Sequence, residues 1–115
     1  MKARIPKNYG GMPGSMQGMI QQAQKMQEEI TRKQAEIDEM DFTASVGGGA
    51  VEVVMSGKKE LKSITIKPEV VDPEDVEMLQ DLVISAVNEV LRAVESKTSD
   101  EMDKITNGLN IPGLL

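Results

Sequence analysis

The sequence predicts an α+β domain in which two long helices flank a three-stranded antiparallel sheet, in the order α-β-β-β-α. Three observations predict this fold class. A heptad-patterned apolar stripe occupies the first third of the chain, short segments with an apolar period of two follow it, and a second helical stripe begins after Asp72. With 115 residues the chain is expected to form one dimerising domain, residues 12–110, between a flexible basic arm (1–11) and a C-terminal tail (111–115).

The first helix is predicted from apolar residues spaced alternately four and three apart. Its stripe consists of Met12, Met16, Met19, Ala23, Met26, Ile30, Ile37 and Met40, interrupted only by Lys33. Pro13, Gly14 and Gly18 weaken the first turns, so the firm helix is expected from Met16 to Met40. The stripe indicates a core or a dimer seam. Because methionine is unbranched and adaptable, the stripe also suits a surface that holds several protein partners.

Three short strands are predicted between the helices. Residues 42–46 form the first strand, and residues 61–67 form the third. In the second strand, Val51, Val53 and Met55 alternate with residues of the opposite face, which is the pattern of a half-buried strand.

The connections between these strands contain glycines and lysines. The Gly-Gly-Gly segment at 47–49 is predicted to be a turn, because glycine adopts positive φ without steric cost. A phosphate-cradling P-loop is excluded, because that motif requires glycine five positions before Gly57, where Glu52 stands. Lys58 and Lys59 lie at the tip of the second hairpin, where they are either simply solvated or in contact with phosphate.

The second helix is predicted to begin at an acidic cap. Asp72 is the expected N-cap, with Pro73 at the first helical position and Asp75 completing a near capping box. A broad apolar stripe suited to packing on a sheet follows, formed by Val76, Leu79, Leu82, Val83, Ala86, Val87, Val90, Leu91 and Val94. The pattern thins after Ser96, and the helix is expected to end at residues 107–108.

The composition excludes several classes of function. The chain has no cysteine, which rules out disulfides and thiolate metal sites, and no histidine, the commonest general base and metal ligand. We therefore expect no enzyme, no cofactor, no metal and no small-molecule substrate. No apolar run approaches the roughly 18 residues of a membrane span, and glycine and proline interrupt the N-terminal segment, so we expect no signal peptide and a cytoplasmic location.

Charge is distributed unevenly along the chain, although the net charge is −6. Residues 1–27 carry four basic side chains and no acidic one, whereas residues 28–41 carry six acids and two bases. Residues 42–67 are again basic, and residues 68–115 hold eleven acids against three bases. Because partner choice follows the local field more than the total charge, the basic segments remain candidates for contact with an anionic partner.

Four segments together resemble the YbaB/EbfC family of bacterial nucleoid-associated proteins. They are Gln22-Ala23-Gln24-Lys25-Met26-Gln27-Glu28-Glu29-Ile30, the glycine turn before Val51-Glu52-Val53, Ile64-Thr65-Ile66-Lys67-Pro68, and Asp75-Val76-Glu77-Met78-Leu79-Gln80-Asp81-Leu82-Val83 with the following Ala86-Val87-Asn88. Their order and spacing cover roughly residues 11–110. The resemblance implies a homodimer whose joined β core carries protruding helices like the arms of tweezers. It also implies binding of duplex DNA with little sequence preference in the nucleoid.

The resemblance and the charge distribution together give a set of candidate DNA-binding residues. Lys25 stands where the family commonly has a basic residue. The full set is Lys2, Arg4, Lys7, Lys25, Arg32, Lys33, Lys58 and Lys59. The acidic second helix departs from a basic binding surface, so Arg92 and Lys97 are not included.

An alternative function is a protein-binding scaffold or holdase whose methionine-lined helices hold partner segments. Salt separates the two functions, because binding to DNA through lysine and arginine weakens steeply as salt rises, whereas apolar capture is nearly indifferent to it.

Overall fold

A computed structural model describes residues 11–108, with side chains described from 16 to 107. The elements are helix α1 (Gly11–Asp38), strands β1 (Asp41–Val46), β2 (Val51–Ser56) and β3 (Leu61–Ile66), a short 3-10 turn (Pro68–Val70) and helix α2 (Val76–Gly108). The predicted α-β-β-β-α order is confirmed. Most of the predicted basic arm and the whole predicted tail lie outside the described residues, but Gly11 already belongs to α1.

The sheet has the order β1-β2-β3 with both pairs antiparallel. Val53 of β2 pairs with Ala44 on one side and with Ile64 on the other, so these three side chains share one face. The β1–β2 connection is a turn, as predicted, and all three of its glycines have positive φ, between 64° and 91°. Val51, Val53 and Met55 are buried, which confirms the predicted inward face of β2.

The core lies between this face of the sheet and α2. Ala86, Val90 and Val94 recur every four residues along α2, and all three are fully buried against the sheet. Helix α2 packs on β1 and β2, whereas all six residues of β3, one of the two edge strands, are exposed. One layer of helix thus covers only two of the three strands.

The N-terminus of α2 differs from the prediction. The helix begins at Val76, and its cap is Asp75, whose carboxylate accepts a hydrogen bond from the Met78 N–H at 3.2 Å. Asp72 instead accepts a hydrogen bond from the Glu74 N–H at 2.9 Å and closes a separate turn. Two aspartates at this spacing can each serve as a cap, and the sequence pattern selected the wrong one. At its other end α2 continues past Ser96 to Gly108.

Helix α1 is attached to the rest of the domain near its C-terminus. The Gly57 N–H donates a hydrogen bond to the Met40 carbonyl at 3.1 Å, just beyond the end of the helix. A Cβ on Gly57 would lie 1.8 Å from the Ile37 carbonyl oxygen, so only glycine fits at this contact between backbones. The contact holds the β2–β3 turn against the last turn of α1.

The apolar stripe of α1 is buried at one end only. Ile37 is fully buried, as expected for a core position, whereas Met16 and Met19 are each more than half exposed. The predicted stripe is therefore core at Ile37, although its last member, Met40, is 39% exposed. Among the described residues, its N-terminal members Met16 and Met19 are uncovered within a single chain.

Candidate nucleic-acid interface

Three lysines converge on one buried glutamate where α1 passes α2. Glu101 is the only buried charged residue among those described, with a relative exposure of 7%. Its carboxylate lies 3.1 Å from the Lys97 Nζ, 3.2 Å from the Lys104 Nζ and 3.5 Å from the Lys33 Nζ. We refer to Glu101, Lys33, Lys97 and Lys104 as the lysine cluster.

The sequence explains why these side chains meet. Lys97 and Lys104 lie four residues before and three residues after Glu101, so all three share one face of α2. Lys33 occupies the position that interrupts the apolar stripe of α1, about one turn before the buried Ile37, so it lies on the face of α1 that meets the domain. The interruption of the heptad pattern thus places a cation opposite α2.

Two members of the lysine cluster, Glu101 and Lys33, have shifted pKa values. Hydrogen bonds from Lys97 and Lys104 lower the pKa of Glu101 from 4.5 to about 2, against the opposing effect of burial. The pKa of Lys33 is raised, mainly by its hydrogen bond with Glu36 and by the charge of that carboxylate, and further by the charge of Glu101. Each shift favours the charged form, so Glu101 and Lys33 are both ionised near neutral pH.

Acidification is expected to remove the stabilising contribution of these ion pairs. Because the pKa of Glu101 is lower in the folded chain than in the unfolded chain, this contribution is complete above about pH 4.5 and is lost as the pH falls towards 2. The charged groups that face Glu101 are Lys33 on α1, with its neighbour Glu36, and Lys97 and Lys104 on α2. The difference in melting temperature between the wild type and Glu101→Gln should therefore be largest near neutral pH and shrink towards pH 2. A difference that stays constant over this range would contradict the assignment.

A further ion pair joins the β2–β3 turn to α2. The Lys59 Nζ lies 3.6 Å from the Glu95 carboxylate, and Lys59 itself has a φ of 69°. A cleft of about 330 Å³ lies between the turn and the two helices, lined by Gln34, Gly57, Lys59, Glu95, Thr98 and Ser99. Glu95 and Glu101 are six residues apart, so the turn and the lysine cluster contact α2 roughly 9 Å apart along its axis.

The predicted DNA-binding residues fall into three groups. Lys2, Arg4 and Lys7 lie outside the described residues. Lys25 and Arg32 are exposed on α1, and Arg32 lies 4.0 Å from Glu36 in a solvent-exposed pair. The remaining three residues, Lys33, Lys58 and Lys59, lie where α1 and the β2–β3 turn approach α2.

The structure adds two cations that were not in the predicted set. Lys97 and Lys104 belong to an acidic helix, and the net charge of that helix obscured them. The available signal was their spacing around Glu101, which places both on one face whatever the charge of the other faces. The surroundings of Lys97 and Lys104 in the folded chain are therefore more basic than the net charge of α2 indicates.

Within residues 11–108, no helix combines the length and the apolar composition needed to cross a bilayer. The same part of the chain contains no group of three acidic side chains arranged to hold a metal ion.

Comparison with known proteins relates the whole described domain to a single family. The model of the YbaB/EbfC DNA-binding family matches residues 12–109. A nucleoid-associated protein of Clostridium acetobutylicum is 59% identical over 109 residues, covering 91% of this chain and 97% of that protein. Another, from Alkaliphilus metalliredigens, is 56% identical over 110 residues, covering 94% and 96%.

The fold also matches a solved structure. The crystal structure of an uncharacterized protein from Helicobacter pylori is similar with a TM-score of 0.58 and 28% sequence identity, covering 68% of this chain and 90% of that one.

Proposed function

The chain belongs to the YbaB/EbfC DNA-binding family, and from this premise we propose that it is a nucleoid-associated protein that binds duplex DNA as a homodimer with little sequence preference. The observation that carries the proposal is the family match over residues 12–109, together with relatives above 50% identity that are named nucleoid-associated proteins. Such a protein works in the nucleoid, and therefore in the cytoplasm.

Contact with the DNA backbone is supported by the basic side chains on α1 and the β2–β3 turn. Lys25, Arg32 and Lys58 are exposed and available to phosphate. The Lys58 N–H donates to the Ser56 hydroxyl at 3.2 Å, which orders the backbone of the turn. No ion pair involves Lys58 among the described residues, so its ammonium group is free to contact a phosphate.

Weak sequence preference is supported by the absence of suitable readers on the described surface. Phe42 packs against the core and offers no platform on which bases could stack. Gln21, Gln22, Gln24 and Gln27 are exposed on α1 and form the nearest approach to a base-reading row. Recognition is therefore proposed to rest on the backbone and shape of the duplex.

A homodimer is supported by the apolar surface that a single chain leaves uncovered. Ile64 and Ile66 of β3 lie on the core face of the sheet but are 42% and 36% exposed, because α2 covers only the other two strands. On α2, Val76 and Ile84 are also at least half exposed, and Leu79, Gln80, Val83 and Ile84 line an apolar groove of about 440 Å³. A second copy that covers this surface would bury it and pair the open edge of β3.

The proposed function is tested by titrating several scrambled duplexes, and one single strand of equal length, over a range of salt concentrations. Unrelated duplexes should bind within about tenfold of one another and more tightly than the single strand. Four to six phosphate contacts predict a slope of about −4 to −5 for log K against log salt. Replacing Lys2, Arg4, Lys7 and Lys25 by alanine should flatten that slope.

Two outcomes of this titration would count against the proposal. A thousandfold preference for one duplex would show that the protein reads bases, with the glutamine row of α1 as the leading candidate. An unchanged slope in the quadruple variant would place the DNA contacts elsewhere. Lys25→Ala and Lys67→Ala provide a matched pair of single variants, because each removes one exposed charge that forms no ion pair among the described residues, but only Lys25 lies on α1.

The exposed half of the α1 stripe favours a second candidate function. Met16, Met19 and Ile20 are each more than half exposed and form an adaptable apolar surface. A protein-binding scaffold or holdase would use this surface, and its binding to a partner peptide would change little with salt. Salt-independent peptide binding without DNA binding would therefore favour this function.

A further inference from the structure

We propose that Glu101 is a built-in competitor for phosphate, which occupies an anion site formed by Lys33, Lys97 and Lys104 and so weakens nucleic-acid binding at this side of the domain. The inference rests on the proposed DNA binding and identifies a part of the binding surface that carries its own inhibitor.

The geometry of the lysine cluster is that of an occupied anion site. Three ammonium groups from two helices lie within 3.5 Å of the two oxygens of one carboxylate. A backbone phosphate presents oxygens of similar charge and would be held by the same donors. The Glu101 carboxylate thus stands where a phosphate oxygen would be bound.

The lysines are reachable from solvent although the carboxylate is not. The side chain of Glu101 is 10% exposed, whereas those of Lys33, Lys97 and Lys104 are 31%, 39% and 72% exposed. Each ammonium group has three N–H donors, and that of Lys33 contacts only two carboxylates, those of Glu36 and Glu101. A phosphate approaching from solvent therefore meets lysine donors before it meets the carboxylate.

The lysine cluster contains more lysines than are needed to link α1 to α2. The Lys33–Glu101 pair alone would link α1 to α2. Lys97 and Lys104 add two further cations on α2, so that, with Glu36 included, three positive charges face two negative ones. These five groups therefore carry a net charge of +1, although α2 as a whole is acidic. Removing the charge of Glu101 would raise this net charge to +2.

The test compares Glu101→Gln with Asp103→Asn in duplex-DNA titrations. Both substitutions remove one negative charge from the same helix, but Asp103 is exposed and belongs to none of the ion pairs of the described residues. Glu101→Gln should bind duplex DNA about tenfold more tightly at low salt, and its salt slope should steepen by about 0.9 for each additional phosphate that the freed lysines neutralise. Asp103→Asn should change the affinity by less than about threefold.

Equal effects of the two substitutions, or weaker binding by a folded Glu101→Gln variant, would overturn the inference. A wild-type protein that does not bind duplex DNA would instead overturn the proposed function, so the two failures are distinguishable. Circular dichroism establishes whether Glu101→Gln is folded. If Glu101→Gln is not folded, duplex-DNA titrations of Lys104→Gln and Lys62→Gln test the inference instead. A phosphate site at the lysine cluster predicts that the affinity falls by about threefold or more for Lys104→Gln only. Equal losses in these two variants would also overturn the inference.

Discussion

Gly57→Ala is expected to lower the free energy of unfolding by about 3 kcal/mol or more, which is large for a single added methyl group. The new Cβ would lie 1.8 Å from the Ile37 carbonyl oxygen and 3.0 Å from the Asp38 Cα. Both are backbone atoms, so no side-chain rotation relieves the clash. The β2–β3 turn must then separate from α1, and the hydrogen bond from Gly57 to Met40 is lost with it.

Thermal and urea unfolding, followed by circular dichroism, measure this effect, and Gly18→Ala is the matched control. A Cβ on Gly18 would meet no atom within 4 Å, and alanine is the better helix former, so this variant should be stabilised by up to about 1 kcal/mol. A Gly57→Ala variant as stable as the wild type would show that α1 does not contact the turn in solution as described.

Val90→Asp is expected to unfold the chain, whereas Ile64→Asp is expected to dissociate the proposed dimer without unfolding it. Val90 is fully buried between α2 and the sheet, so an unpaired charge there should unfold the chain, at a cost of about 4 kcal/mol or more. Ile64 is 42% exposed in the single chain, so its replacement should leave the fold intact and dissociate the proposed dimer.

Burial determines which variants test the dimer. Val90 and Ile37 both belong to the predicted apolar stripes, but both are fully buried within one chain. They report on folding. Sedimentation at micromolar concentration, combined with circular dichroism, separates the outcomes for Ile64→Asp. A wild type that sediments as a folded monomer, or an Ile64→Asp variant that remains dimeric, would contradict the proposed assembly.

Periodicity was sufficient to predict the elements of the fold. The alternation of Val51, Val53 and Met55 predicted the inward face of β2, because one helix layer on one side of a sheet leaves that pattern in the sequence. Periodicity was not sufficient to choose between Asp72 and Asp75 as the cap of α2, since either carboxylate can satisfy a nearby N–H. The sequence also carries no sign that Gly57 lies against α1, because that contact depends on how separate elements pack.

The candidate interface was only partly predictable for a related reason. Summing charge over segments identified the basic stretches that contain Lys25 and Lys58, because bases outnumber acids within each stretch. It missed Lys97 and Lys104, whose neighbours in sequence are acidic and whose neighbours in space include Lys33. The pairing of α1 with α2 creates the lysine cluster, and a segment average contains no information about that pairing.

The contact at Gly57 fixes α1 near its C-terminal end, so a rotation about this contact displaces the residues nearer the N-terminus of α1 the most. Lys25 stands 13 residues before Asp38, the last residue of α1, which is about 20 Å along the helix axis. A rotation of α1 by about 10° about this contact would displace Lys25 by roughly 3.5 Å. This displacement is close to the rise of about 3.4 Å per nucleotide on one DNA strand. In the proposed complex with DNA, the close packing at Gly57 would therefore limit how far Lys25 can shift from one phosphate to the next.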